Sequence, residues 1–271
     1  MKDFYKNKVV LITGSSMGIG KEIALQALNL GAQVVINGRD LERLENMKNE
    51  LSSFHENLLF LPGDVSDYSR NVAMVNTIID KFGRLDVLIT NAGLSCYGEL
   101  EEMTSDTAKQ TIDCNIYGSL FPARAALSEL KKTKGNILFI SSIAGFHGLP
   151  ECSAYSLSKM AIKALAQSLS VEVYKSGMTI GIAYVGFTEN DPDKKTLSPI
   201  GQLVPVPDRA SFSRVSKKTS ALKLLKQIKS GKFSNTHSLL GMLSERMSRY
   251  FPSLMLYIIK QKYKRVRIMR N

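Results

Sequence analysis

The sequence predicts an α/β fold, a single doubly wound parallel sheet with helices on both faces. Two observations carry this. Short runs rich in Val, Ile and Leu recur six times in the first 185 residues, near-continuous rather than alternating, as strands covered on both faces are. Between them lie longer stretches at helical spacing. Strand–helix alternation repeated this often gives parallel strands joined by right-handed crossovers. Length agrees: 271 residues, 44% hydrophobic and 22% charged, suffice for one buried core.

The strands are read in order at Val9–Thr13, Gln33–Asn37, Leu58–Leu61, Val87–Thr90, Asn136–Ser141 and Met178–Tyr184. The helices between them run over 19–30, 41–53, 67–81, 104–131 and 153–175. The first strand follows Lys8 directly, which leaves no room for a secretory leader. Asp40 reads as the N-cap of the second helix. Residues 187–216 carry four prolines and many polar residues and read as a long mobile excursion. A helix over Thr219–Lys229, ended by Gly231, and a further strand at Lys232–Asn235 complete a domain spanning 1–235. Residues 236–271 form a helical, basic and apolar extension with a stripe at Leu239, Leu243, Met247, Tyr250 and Leu254.

Charge is unevenly placed. The net charge is +12, but from Arg214 onward there are 15 Lys or Arg and one acid, Glu245, whereas residues 1–213 hold 21 basic and 23 acidic residues. Basicity therefore belongs to the last fifth of the chain. The longest uncharged apolar stretch there, Leu254–Ile259, falls far short of the roughly 18 residues a membrane span needs. Cys96, Cys114 and Cys152 are odd in number with no C-x-x-C, so neither a disulfide framework nor a metal site is expected, and a reducing, cytoplasmic setting fits. They read as small buried hydrophobes.

After the first strand comes Thr13-Gly14-Ser15-Ser16-Met17-Gly18-Ile19-Gly20, then a helix. Glycines here permit a tight turn, close approach of the backbone to a pyrophosphate and close helix–strand packing, and the helix N-terminus offers free N–H groups. Between a strand and a helix at the start of a βαβ pattern, this is a dinucleotide signal. The second strand ends in Asn37-Gly38-Arg39-Asp40. Arg39 offers a planar fork to a 2′-phosphate, so NADP(H) is favoured over NAD(H).

Tyr155-x-x-x-Lys159 lies within a helical pattern, so the two side chains share a face, and Ser142 ends the fifth strand thirteen residues earlier. A free phenol has a pKa of about 10; a lysine one turn away is expected to lower it toward the working pH, making Tyr155 an acid or base for a carbonyl/alcohol pair. Ser142 is read as hydrogen-bonding the reacting oxygen.

At these residues the sequence resembles the short-chain dehydrogenase/reductase family, whose fold is Rossmann-like. The matching motifs come in order: Gly14/Gly18/Gly20, Asp64-Val65, Asn91-Ala92-Gly93, Asn115, Ser142 and Tyr155/Lys159, over about Lys8 to Gly186. The resemblance implies that Ser16 and Ile19 share the glycine loop's contact with the cofactor, and that Asp64, with Val65, meets the adenine edge. It implies that Asn91, Ala92 and Gly93 build the cofactor floor, that Lys159 also grips the nicotinamide ribose, and that Asn115 kinks its helix and links Lys159 to solvent. Gly186 and Thr188 take the place of the family's cofactor-contacting loop, with Val185 where the family carries proline. Oligomerisation through the helices at 104–131 and 153–175 is likewise implied. His147 is read as shaping the pocket.

Two readings of the extension stay open: a peripheral membrane anchor, with a fatty or steroid-like ketone as substrate, or a helix pair packed on the protein or on a second copy. Nucleic acid is not expected, since no reader motif accompanies the basic residues. The competing reading of the whole chain is a non-catalytic dinucleotide-binding scaffold or sensor at a membrane surface.

Overall fold

The computed structural model describes residues 1–207 and 214–268, with side chains through Tyr263. In chain order the elements are α1 (Lys2–Tyr5), β1 (Val9–Ile12), α2 (Gly18–Asn29), β2 (Gln33–Gly38), α3 (Leu41–Glu50), β3 (Leu58–Pro62), α4 (Tyr68–Phe82), β4 (Val87–Thr90) and α5 (Ser105–Ile112). They continue with α6 (Gly118–Thr133), β5 (Asn136–Ser142), α7 (Ser153–Glu172), β6 (Thr179–Val185), β7 (Lys195–Leu197), β8 (Leu203–Pro205), α8 (Lys217–Ser230), β9 (Ser234–Thr236), α9 (Leu239–Tyr250) and α10 (Pro252–Ile268).

Seven parallel strands form the main sheet in the order β3-β2-β1-β4-β5-β6-β9. Side chains alternate across it, so each strand feeds two cores. Val10, Ile12, Val34 and Ile36 pack with Ile23, Ala27, Leu224 and Leu225 on the face covered by α2 and α8. Val9, Leu11, Val35 and Phe139 pack with Ile78, Leu130, Ile162 and Ala166 on the face covered by α4, α6 and α7. This double covering explains the continuous apolar runs.

Chain order reverses between β1 and β4, and the carboxyl ends of those strands open a crevice, the usual ligand seat of such sheets. Asp40 does cap α3, accepting from the Arg43 N–H at 3.0 Å.

Two sequence expectations need correction. The helix expected over 104–131 is interrupted: residues Asp113–Tyr117 form a π-helical segment between α5 and α6, a bulge that nothing in the hydrophobic spacing marks. The excursion at 187–216 contains an antiparallel hairpin, β7 with β8, docked on the chain after β4. The Leu197 N–H donates to Ser95 O at 2.9 Å, and the Ser95 and Thr196 hydroxyls meet at 2.7 Å. Residues 208–213 of that excursion lie outside the described residues.

The extension is helical, as expected, and breaks at Phe251–Pro252 into two helices. Its first helix, α9, turns small and polar residues inward: Gly241 packs on Thr236 and Ile143, Ser248 meets His147 Nδ1 at 2.9 Å, and Glu245 accepts from Thr236 at 2.6 Å. The apolar stripe faces outward. Leu239 is 82% exposed, Leu243 59% and Tyr250 65%. Among the described residues no helix is long and apolar enough to cross a membrane. The side chains of Lys264, Arg265 and Arg267, and all of Arg270, lie outside the described residues.

Candidate active site

The loop between β1 and α2 is locked to the end of β4. Gly14 has φ +59°, and a Cβ there would stand 2.6 Å from Ala92 Cα. A Cβ on Gly20 would meet Asn91 Nδ2 at 2.5 Å and Gly14 O at 2.6 Å. Both positions are closed to side chains because two loops pass at backbone distance. Asn91 Nδ2 donates to Thr13 O at 3.0 Å and Gly14 O at 2.8 Å, while Thr13 Oγ1 accepts from the N–H groups of Asn91 and Ala92 at 3.1 Å each. Gly14, Gly20, Asn91 and Ala92 thus make one floor at the switch point.

At the end of β2, Arg39 Nη1 lies 3.3 Å from Asp64 Oδ2, and Gly38 leaves room for Ser16, whose Oγ would sit 2.9 Å from a Cβ. Asp64 also accepts from Ser66 N–H at 2.8 Å and Ser66 Oγ at 2.7 Å. Burial alone would raise its pKa, but the Ser66 bonds and the Arg39 charge outweigh it and hold the carboxyl below the usual range. Val65 is buried, filling the space that Gly118 leaves at the start of α6. Ile19 lies in the first turn of α2 and packs on the adjoining core.

The π segment serves Asn115. The bulge carries this fully buried side chain to the chain after β4, where its Nδ2 donates to Leu94 O at 2.9 Å and Ser158 Oγ at 2.8 Å, and its Oδ1 accepts from Leu94 N–H at 2.7 Å. Gly93 is the junction: a Cβ there would lie 3.2 Å from Asn115 Oδ1 and 3.4 Å from Lys159 Nζ.

On α7, Tyr155 is half-buried and Lys159 is 5% exposed. Lys159 Nζ donates to Ile140 O at 3.1 Å and lies 5.8 Å from the Tyr155 ring centroid. Ser142, at the end of β5, lies close enough to influence the Tyr155 phenol, and its Oγ accepts from Ala144 N–H at 3.3 Å. Ser142, Tyr155, Lys159 and Asn115 are therefore gathered at the carboxyl end of β5.

The electrostatics reverse one expectation. The Tyr155 phenol is pushed up, first by burial, with Ser142 opposing and Cys152 adding to the rise. Lys159 does not depress it here, because the ammonium is itself disfavoured: burial brings its pKa down to about 8. Cys114 and Cys152 are held as thiols by burial, Cys152 up to about 12, which suits packing rather than nucleophilic chemistry.

Val185 ends β6 as a paired residue, in register with Ser142. Gly186 is closed by Ser238, the N-cap of α9, whose Oγ would lie 2.6 Å from a Cβ. The Thr188 hydroxyl bonds Gly186 O at 3.4 Å and Ser220 Oγ at 3.3 Å. Asp191 is the residue that reaches the glycine loop: its Oδ2 accepts from the Gly18 N–H at 2.6 Å, and its other oxygen pairs with Lys217. Sequence reasoning missed Asp191, Lys217 and Arg43, because the contacts span up to 173 residues and no short motif encodes them.

A family model described as short chain dehydrogenase matches residues 8–199. The chain is 33% identical over 188 residues to an uncharacterised oxidoreductase of Thermotoga maritima, covering 69% of this chain and 74% of that protein. It is 35% identical over 197 residues to a 3-dehydrosphinganine reductase of Danio rerio, covering 68% of this chain and 59% of that protein's length. Two solved structures share the fold. An alcohol dehydrogenase from Thermococcus sibiricus complexed with 5-hydroxy-NADP has TM-score 0.73 and 23% identity, covering 86% of this chain and 96% of that one. A Burkholderia phymatum protein in complex with NAD has TM-score 0.76 and 17% identity, covering 98% and 96%.

Proposed function

Because the chain belongs to the short-chain dehydrogenase/reductase family, an oxidoreductase family on a nicotinamide-binding fold, we propose that it reduces a lipophilic ketone with NADPH, using Tyr155 as the proton donor. The observation that supports this reading is the meeting of Ser142, Tyr155 and Lys159 at the end of β5, with Lys159 Nζ bonded to Ile140 O and 5.8 Å from the Tyr155 ring.

The residues fit a dinucleotide. The close-packed Gly14–Ala92 and Gly20–Asn91 contacts leave the backbone approachable, and a carboxylate already sits on the first N–H of α2, so that position accepts an anion. Gly14, Ser16, Gly18, Ile19 and Gly20 would hold the phosphates, Asp64 and Val65 the adenine, Asn91, Ala92, Gly93 and Lys159 the nicotinamide ribose side, with Gly186 and Thr188 behind it. When bound, the cofactor supplies the hydride; the other tasks fall on the chain. Ser142 would orient the carbonyl oxygen and stabilise its developing charge. Tyr155, kept protonated by burial, holds the proton that this oxygen requires, and the same burial opposes the phenolate that alcohol oxidation would need. That asymmetry supports reduction as the working direction.

Arg39, half-exposed at the end of β2 beside Asp64, supports NADPH as the cofactor. Arg39→Asp is expected to move the NADPH-over-NADH preference in kcat/KM by about 100-fold toward NADH, the scale of one lost charge-assisted fork and one added repulsion. An unchanged ratio on a panel of long-chain and steroid-like ketones would remove the assignment.

The lipophilic substrate is supported by the likeness to a 3-dehydrosphinganine reductase and by the extension. We take 236–271 as a membrane-facing unit on a 1–235 catalytic domain. The outward stripe of α9 continues into Phe251, Leu254 and Tyr257, all about half exposed or more. The surrounding charge is almost wholly positive. A second copy set against this face would oppose cation to cation, whereas an anionic bilayer complements it. The outer face of α7, where Leu157, Met160 and Val171 are exposed, is the more suitable seat for a second copy. The protein is expected to sediment with vesicles of phosphatidylcholine and phosphatidylglycerol but not with phosphatidylcholine alone, and Leu239→Asp with Leu243→Asp to release it. Equal recovery of parent and variant in the supernatant would discard the membrane contact.

A further inference from the structure

Resting on the reading that α2 receives a dinucleotide's pyrophosphate, we propose that Asp191 holds that seat in the cofactor-free chain, and that Lys217, released when Asp191 is displaced, becomes a ligand of the pyrophosphate. The segment after Thr188 is a strap over the N-terminus of α2, held to α3 and α8. Asp191 Oδ2 takes the Gly18 N–H at 2.6 Å while its Oδ1 pairs with Lys217 Nζ, the first residue of α8. Two residues on, Asp193 Oδ2 meets Arg43 Nη2 of α3 at 2.8 Å. Pro192, with its fixed φ, stands between them. Two carboxylates therefore join α2, α3 and α8 over a groove of about 350 Å³ that Gly18, Lys21, Arg43 and Lys217 help to line.

The two pairs are unequal. Asp193 is 63% exposed and its bond to Arg43 is a surface pair of little worth. The Asp191 side chain is 18% exposed and Lys217 30%. Burial would raise the Asp191 pKa, but the bonds from Lys217 and Gly18 outweigh it, so the carboxylate stays charged. Asp191 is the latch.

A phosphate and a carboxylate cannot share one N–H, since each is an anion and each wants the same positive end of the helix. Displacing Asp191 leaves the Lys217 ammonium without its partner beside that N-terminus, and the incoming pyrophosphate restores the pairing. The exchange substitutes one anion for another, so neither state leaves a bare helix end facing an unpaired cation. The strap thereby sets cofactor affinity, and Lys217 contributes to binding once the strap is open.

Equilibrium titration of NADPH by its own fluorescence tests this without turnover, with inorganic pyrophosphate as competitor. Asp191→Asn keeps the shape and removes the charge; it is expected to bind NADPH about 10-fold more tightly and to lower the inhibition constant of pyrophosphate by a similar factor, the size of one charge-assisted bond. In that background Lys217→Met is expected to weaken NADPH about 10-fold and to flatten its salt dependence, with Lys217→Arg restoring both. Melting curves confirm that each variant folds. If folded Asp191→Asn binds NADPH no better than the parent, or Lys217→Met has no effect in its background, the exchange is wrong while the cofactor reading stands. If no form binds NADPH, the cofactor reading itself falls, and this inference with it.

Discussion

Tyr155→Phe is expected to lose ketone reduction by about 10²–10⁴-fold, the range of a lost general acid, while binding NADPH as the parent does. The alkoxide formed at the reacting carbon is a far stronger base than a phenolate, so even a phenol whose pKa is raised by burial gives up its proton downhill. What the substitution removes is the hydroxyl proton that α7 carries near Ser142 at the end of β5. The ring is retained, so packing against the site changes little and the loss should fall on kcat rather than on cofactor binding. The measurement is kcat and KM for a reducible ketone beside the NADPH dissociation constant. A Phe variant that turns over as fast as its parent would end the assignment of Tyr155, and a variant that merely loses NADPH binding would move the residue from chemistry to cofactor support.

Much of this arrangement could be read from residue order alone, and what could not has identifiable causes. β1, β2, β4 and β5 were legible because burial on both faces demands unbroken Val, Ile and Leu, and few other structures do. The floor made by Gly14, Gly20 and Asn91 was legible because only glycine tolerates those contacts. The π segment was not legible in hydrophobic spacing, since the helix phase shifts by one residue there without a change of composition; only the family resemblance pointed to a kink at Asn115. The stripe on α9 had the right period, but periodicity cannot say which side is inward; that is decided by Gly241 and Ser244, whose small side chains let the helix sit close to Thr236 and Ile143. The direction in which the Tyr155 pKa moves needed burial, which spacing does not report: a Tyr-x-x-x-Lys pair gives proximity, and desolvation then disfavours both charges. The latch at Gly18 depends on a loop returning from 173 residues away.

That desolvation makes Lys159 the residue where function and stability pull apart. Burial brings its pKa from 10.5 down to about 8, so the native state resists a proton that the unfolded chain keeps. Between those two values the unfolded chain binds more protons than the native one, and stability from this group rises as pH rises through that window. Below pH 8 the buried ammonium costs about 3 kcal/mol, since each tenfold loss of proton affinity is worth roughly 1.4 kcal/mol. Cofactor-free Lys159→Met is therefore expected to be more stable than the parent at pH 7, by up to about 3 kcal/mol, on the order of 6–12 °C in Tm. The difference should shrink as pH climbs from 8 toward 10.5, where the parent sheds its buried charge. Comparing the two proteins at each pH cancels the raised tyrosines, Tyr5 and Tyr184, which work in the opposite sense in both. Activity should move the other way, falling by at least about 100-fold in the variant, and the parent's own reduction rate should decline above pH 8 as the ammonium proposed to hold the ribose is lost. Denaturant curves across about pH 7–10 read the first effect and a pH–rate profile reads the second. A Met variant that is less stable at every pH, or whose offset from the parent does not change with pH, would show that Lys159 is not held against desolvation, and the charge invoked at this site would have to come from elsewhere.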